Sequence, residues 1–496
     1  MTVPLPVELL LEIATLLQND GSSLVPCTSV CRSWQAAFEP LIYSTIAVYS
    51  DDEHKEKRQR GMSLANFQKL TSGDRAIRQT WIRNLEYDIL VPYELLDWTT
   101  RKELGNSKGY CIENPIRKAN DLAFQTAIVR LFQVLHSRDQ SARLKLYLYV
   151  RGRRYNPAPE PYTQHWDIAG DYRWDYKKGR IFSIPPYRAR FLNNGPDLAS
   201  VPCIEKLSFL NHDPSWDQHH QIWTGAVQTI LQSCPKITEL EVNLNEWVRP
   251  DHLEYIQARR AALSSLIGSI PRSLRVLDYE GEKDGPWKPS MSALNVIPSG
   301  IDSMSLKLRD LSVHLQELKL KNTAIPFDFM CPLDGEGKPN LGSLHWPHLE
   351  ILEVECVPPW LPSGEWTFHH TAEDQAEIDQ IDDWEDEICD VERGWGWPSV
   401  RIEENFHRLL ISLGYAAQRM PALKRMKFEV EGDSQFNLYF RNADKITLGW
   451  ECSPGYQPDS RVTMAWGFAL DDLKISFAFQ DMCSVILQSW PPNTPI

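Results

Sequence analysis

The chain has 496 residues, 42% hydrophobic and 24% charged. That is enough apolar side chain for a large core and unlike a disordered chain. A net charge of −14 argues against nucleic acid as the main partner, because that binding needs clustered Lys and Arg. Most of the imbalance sits in Glu373–Glu392, which holds eleven acidic side chains and no basic one. No apolar run approaches the ~20 residues that span a bilayer. The N-terminus carries Glu8 and Glu12 and no basic leader, which argues against a signal peptide. Ten Cys dispersed over the chain do not suggest a disulfide framework. The expectation is a reduced protein of the cytoplasm and/or nucleus, with no membrane partner.

Residues 1–50 read as one compact helical unit. Pro6 stands at a favoured helix start, and Leu9, Leu10, Ile13, Leu16 and Leu17 recur at helical spacing. Asn19-Asp20-Gly21 ends that helix. A second helix is predicted from about Leu24 to Phe38, with Pro26 in its first turn, an apolar face of Cys27, Val30, Cys31, Trp34 and Phe38, and Pro40 as its breaker. Two helices this short need their apolar faces covered by the rest of the chain or by another protein.

Residues 51–200 read as a linker, Asp51 to Arg60 an exposed loop, followed by degenerate repeat units at Ile82–Tyr87 and Leu144–Val150. A helix at Ala119–His136 precedes the second of these. From 201 to 431 a motif recurs, with apolar residues at its first, fourth and sixth positions. It starts at Ile204, Ile237, Leu274, Leu315, Leu349 and Leu423. Successive starts lie 33, 37, 41, 34 and 74 residues apart, and five of the six have a Pro shortly upstream. The fourth and sixth positions alternate as in a half-buried strand, and the Pro marks the switch out of a preceding helix. Helical stretches at Gln221–Cys234, Asp251–Ile270 and Arg401–Met420 leave room for crossovers between parallel strands. The expected fold is therefore α/β, an N-terminal helical unit followed by an irregular solenoid with a parallel sheet on one face. The acidic insertion, 371–393, occupies the double-length gap. Residues 432–496, with alternating stretches at Phe436–Phe440, Ile446–Trp450, Val462–Phe468 and Leu473–Phe479, are expected to form a closing β cap.

The first fifty residues resemble an F-box. The resemblance rests on Leu5-Pro6, on the helix Glu8-Leu9-Leu10-Leu11-Glu12-Ile13, and on Val30-Cys31-Arg32-Ser33-Trp34. The stretch Phe38–Ile46 resembles the exit of the fungal type, and the rest is similar to the divergent leucine-rich-repeat regions that follow many F-boxes. The resemblance implies a non-catalytic substrate-recognition subunit of an SCF-type ubiquitin ligase. Such a chain docks on a Skp-family adaptor, and through it on cullin and RING subunits, and captures a protein substrate downstream. Its adaptor face would comprise Leu5, Pro6, Leu9, Leu10, Ile13, Val30, Cys31 and Trp34. An F-box scaffold acting outside ubiquitination is the alternative.

No nucleotide loop, catalytic constellation or metal-ligand spacing stands out, so no cofactor and no metal are expected. Gly335-Glu336-Gly337-Lys338-Pro339 reads as a turn, since Pro339 lacks the backbone donor a phosphate loop needs. The substrate is expected on the outward strand positions, represented by Glu239, Glu241, Asp278, Lys319 and Glu353, an acidic surface with a basic stripe. Like-charge repulsion in Glu373–Glu392 favours a mobile insertion. Its deletion is expected to barely change the thermal unfolding midpoint; a large drop would show that the stretch packs as structure.

Overall fold

The computed structural model describes residues 5–51, 61–93, 99–102, 115–153, 181–184, 187–193, 195–209, 219–243, 253–281, 285–286, 292–340, 342, 344–379, 398–431, 436–452, 455–476 and 481–491. Two compact units emerge. One comprises Met1–Leu95, Ile112–Pro159 and Tyr187–Glu239; the other comprises Leu96–Cys111, Glu160–Pro186 and Leu240–Ile496.

The first unit begins with α1 (Val7–Asn19) and a 3-10 turn at Val25–Ser29. Next comes α2 (Arg32–Ile42). The second helix thus starts eight residues later than its apolar spacing suggests. Pro26 and the branched Val25, Thr28 and Val30 favour the tight turn, and Cys31 is fully extended at the helix start (φ −166°). Pro40 lies inside α2 and does not break it, because only two helical residues follow. Four strands then pair in parallel: β1 (Thr45–Tyr49), β2 (Asn84–Val91), β3 (Leu144–Gly152) and β4 (Ile204–Phe209). A two-residue strand, Met62–Ser63, lies on the outer side of β1. The two segments read as degenerate repeats are thus members of this sheet. Helices α3 (Pro115–His136) and α4 (Thr224–Gln232) precede or follow its strands.

α3 carries polar groups into the interior. The Asn120 amide pairs with both backbone groups of Tyr93, at 2.9 Å each. The buried Asp121 carboxylate accepts from the Tyr187 hydroxyl and from the Arg190 backbone N–H, both at 2.9 Å. Gln125 accepts from the Leu192 N–H at 2.9 Å. One helix face thereby fixes two neighbouring chain segments by hydrogen bonds that burial makes costly to lose. Burial pushes the Asp121 carboxyl above its usual range, against the opposing effect of the bonds from Arg190 and Tyr187. The folded chain then holds a proton at pH values where the unfolded chain has released it. This group's contribution to stability therefore falls as pH rises from the ordinary carboxylate range through the raised value. Asp121→Asn keeps an acceptor and removes the charge. It is expected to flatten that dependence without loss of stability at neutral pH, whereas Asp121→Ala costs ~1–3 kcal/mol by stranding two donors. Urea unfolding from about pH 4 to 8 checks both; equal curves for wild type and Asp121→Asn would refute the assignment.

In the second unit the strands run β5 (Glu239–Asn243), β6 (Val276–Glu280), β7 (Glu317–Lys321), β8 (Ile351–Val357) and β9 (Arg425–Val430). β6 to β9 are parallel and in register: Leu277, Leu318, Leu352 and Met426 are mutual neighbours, as are Tyr279, Leu320, Val354 and Phe428. These are the fourth and sixth motif positions, and all are buried. Of the predicted helical stretches, Gln221–Cys234 holds α4, with Gln221 and Ile222 in a short strand instead, Asp251–Ile270 holds α5 (Leu253–Ser269) and Arg401–Met420 holds α8 (Glu403–Ala417). α6 (Ser303–Ser312) is a further crossover outside those stretches, and α7 (Ala372–Ile378) lies between α6 and α8 in sequence. α7 opens the acidic stretch as an exposed helix rather than a loop, capped by the Thr371 hydroxyl accepting from the Asp374 N–H. The remainder of that stretch from residue 380 lies outside the described residues.

Two motif units place the eighth residue in the left-handed region, Asn322 at φ 52° and Cys356 at φ 50°. The equivalent Gly281 has no room for a side chain, because a Cβ there would sit 2.5 Å from the Thr323 hydroxyl. Beyond β9 the pairing turns antiparallel through β10 (Phe436–Asn442), β11 (Ile446–Cys452), β13 (Asp481–Leu487) and the edge strand β12 (Lys474–Ser476). Val462–Phe468, read as a strand, is mostly helix: α9 (Ser460–Trp466). The Asp459 carboxylate accepts from two N–H groups at its start, and Gly467 ends it at φ 71°. Val462, Ala465 and Trp466 form its buried face, a helical spacing that resembles strand alternation over so short a run.

Candidate protein-interaction surfaces

The helices at the N-terminus bury only a small cluster: Leu10, Ala14, Leu24, Ala37 and Phe38. Ile13, Leu17, Cys27 and Trp34 pack against its rim, with Trp34 stacked on Phe38 at 5.1 Å. α1 has more apolar residues than one core-facing stripe can seat. Leu10 and Ala14 take the core. Leu5, Leu9, Leu11 and Leu16 are left in water, with Leu9 46% and Leu16 61% exposed. Val25 and Val30 join them from the following turn, Val30 being 62% exposed. A fully buried Leu or Val contributes ~1.5–3 kcal/mol, so covering these groups is a substantial driving force for a partner. Isolated exposed aliphatics are ordinary, but this many within one short helical unit are not.

Of the residues expected to face an adaptor, Leu5, Pro6, Leu9, Val30 and Cys31 are exposed. Leu10 is 1% exposed and belongs to the core instead; Ile13 and Trp34 are half-buried and support that core. Leu16 and Val25, also exposed, were not among the expected residues. The signal for Leu16 was present in the sequence, since it lies seven positions, two helical turns, beyond Leu9. The unit is tied to its own sheet domain by Glu39, whose carboxylate pairs with Arg78 at 3.0 Å, while Arg78 lies over the Tyr43 ring at 4.9 Å.

The second candidate is the outward sheet face of the second unit. Asp278, Lys319, Glu353 and Lys427 occupy one row across β6–β9. Glu280, Lys321 and Glu355 occupy the next. The acidic surface with a basic stripe is thus a set of ion pairs closing on itself. Lys319 pairs with Glu317 at 3.2 Å, Lys321 with Glu280 at 3.5 Å, and Arg425 with Glu353 at 2.8 Å. Lys427 lies 2.6 Å from Glu355 and 2.8 Å from Glu429. Partial burial works against the Lys427 ammonium, but hydrogen bonds to both glutamates outweigh it and hold its pKa above the usual lysine value. Glu353 is therefore a partner of Arg425, not a free recognition charge. Glu239 and Glu241 lie on β5, both half-buried at alternating positions of that strand. On the antiparallel half, Tyr439 lies over Gly449, where an added Cβ would meet its ring at 2.3 Å.

The second unit also holds a cavity of about 40 Å³ lined by Arg259, Arg260, Leu263, Tyr279, Asn322 and Trp360 among others. That is room for two or three waters. Arg260 is held by Asp302 at 2.7 Å. Among the described residues no group of three metal-ligating side chains comes together, and no helix is long and apolar enough to cross a membrane.

Comparison with known families places an F-box-like domain at residues 4–48. No curated protein and no solved structure matches the chain.

Proposed function

We propose, from the F-box-like domain at residues 4–48, that this chain is a substrate-recognition subunit of an SCF-type ubiquitin ligase. F-box domains generally bind Skp-family adaptors, and through the adaptor this chain would join cullin and RING subunits. The observation that carries the reading is the set of exposed aliphatics, Leu5, Leu9, Leu16, Val25 and Val30, on a helical unit with a closed core. That unit is a finished fold with an unfinished surface, which suits an obligate docking module. The F-box is read as of the fungal type; the downstream sheet region, read as leucine-rich-repeat-like, captures a protein substrate, and the chain itself supplies binding rather than chemistry. Its place of action is the cytoplasm and/or nucleus.

Affinity purification of the full chain tests the reading. Recovery of adaptor together with cullin, and accumulation of a co-purifying protein when the chain is deleted, support a ligase receptor. Adaptor without cullin supports the scaffold alternative. Recovery of neither overturns both.

A further inference from the structure

One row of the outward sheet face in the second unit contains a charge arrangement that the fold itself does not require. Arg425 on β9 and Arg441 on β10 are directly opposed. Directly opposed residues of an antiparallel pair have Cα atoms ~4.5–5.5 Å apart, and like charges there repel. Arg425 turns to Glu353 at 2.8 Å. Arg441 is exposed and has no ion pair or side-chain hydrogen bond among the described residues. Its same-face neighbours are Thr447 on β11 and then Ile486 on β13, which is 49% exposed. On the other side of Arg425 the row continues to the half-buried Ile351 on β8. The order across the sheet is therefore aliphatic, cation, cation, hydroxyl, aliphatic.

We infer that this row is a docking track for an extended, acidic segment of the substrate protein, with carboxylates over Arg425 and Arg441 and aliphatic side chains over Ile351 and Ile486. Four strand spacings of ~4.8 Å separate the two isoleucines, about 19 Å, which an extended chain covers in six residue steps at ~3.3 Å each. Side chains at the first, third, fifth and seventh positions of such a segment point to the same side. The third and fifth positions fall ~6.6 and ~13 Å along the track, either side of Arg441 at ~9.6 Å and within reach of the long arginine side chains, so the fitting sequence is aliphatic at the first and seventh positions and acidic at the third and fifth. A polyanion does not fit, because Glu317 continues the row beyond Ile351, Glu353 pairs with Arg425, and nucleic acid needs a run of cations. This inference rests on the reading of the sheet region as the substrate surface.

The probe is a fluorescein-labelled peptide, Leu-Ser-Glu-Ser-Glu-Ser-Leu, with Gln and Lys versions at both Glu positions, titrated against the full chain by anisotropy. Saturable binding of the Glu peptide is expected, weakened roughly tenfold or more by Arg441→Glu and largely kept by Arg441→Lys. The Lys peptide is expected to prefer Arg441→Glu. That variant sets opposite charges across β9 and β10, so its unfolding midpoint should not fall, which separates lost binding from lost fold. Equal binding of the Glu and Gln peptides, equal binding by wild type and Arg441→Glu, or no saturation below about 1 mM overturns the inference. Adaptor recovery by the same variants reports separately on the ligase reading, since Arg441 lies outside the F-box-like domain.

Discussion

Replacing Leu9 and Val30 together by Asp is expected to abolish recovery of a Skp-family adaptor with the full chain while leaving its unfolding midpoint unchanged. Both side chains are largely in water, at 46% and 62% exposure, so a carboxylate at either meets no buried neighbour in the free chain. In a complex each would bury an unpaired charge where an aliphatic group belongs. Interface anchors of this kind cost ≥ ~2 kcal/mol each on truncation, and a buried unpaired charge costs more. Two such losses, ~4 kcal/mol or more together, weaken binding at least about a thousandfold, which carries a micromolar complex into the millimolar range where it does not survive purification. Wild-type adaptor yield from the double variant would remove the docking assignment. Trp34 is a poorer probe of the same question. It stacks on Phe38, so its truncation mixes lost binding with a disturbed core.

The complementary variant is Phe38→Ala, which should unfold the N-terminal helices and leave the sheet domains standing. Phe38 is fully buried and is the largest side chain of a cluster otherwise made of Leu10, Ala14, Leu24 and Ala37. A Phe→Ala change in a core costs ~3–5 kcal/mol. So few buried groups leave no comparable reserve, because small units bury proportionally little surface. Limited proteolysis is expected to cleave first within residues 5–42 of the variant, with adaptor recovery lost as well. Resistance of that segment at wild-type level would show that the helices draw their stability from elsewhere. Together the two variants separate a surface role from a core role within α1 and α2.

The sequence by itself determined where the strands of the repeated motif lie, the parallel direction of the central ones, and the F-box-like character of the N-terminal unit. Those features are written in local signals: a period-two apolar pattern, Pro at the helix-to-strand switch, and helical stretches long enough for crossovers. The Leu-Pro, Leu-Leu-Leu and Val-Cys-x-x-Trp elements were equally legible. Local signals also misled in places. Val462–Phe468 has spacing that suits a strand or a helix, and the Asp459 cap and Gly467 stop decide for the helix. Pro40 should have ended α2 earlier, yet so few helical residues follow it that the missing backbone bond matters little.

Only the tertiary structure decided which apolar residues are core and which are surface. α1 offers six large aliphatics between Leu9 and Leu17, and periodicity cannot say which stripe faces α2 until the crossing of the two helices is set. That crossing sends Leu10 inward and leaves Leu9 and Leu16 out. Strand register likewise decided the meaning of the charges. Glu353 reads as a free acid in the sequence, but Arg425 lies 72 residues later in the chain and beside it in the sheet. The same register places Arg441 opposite Arg425, and among the described residues no carboxylate pairs with it. Pairing across parallel strands is a long-range property, and ion pairs on a sheet face follow it rather than sequence proximity.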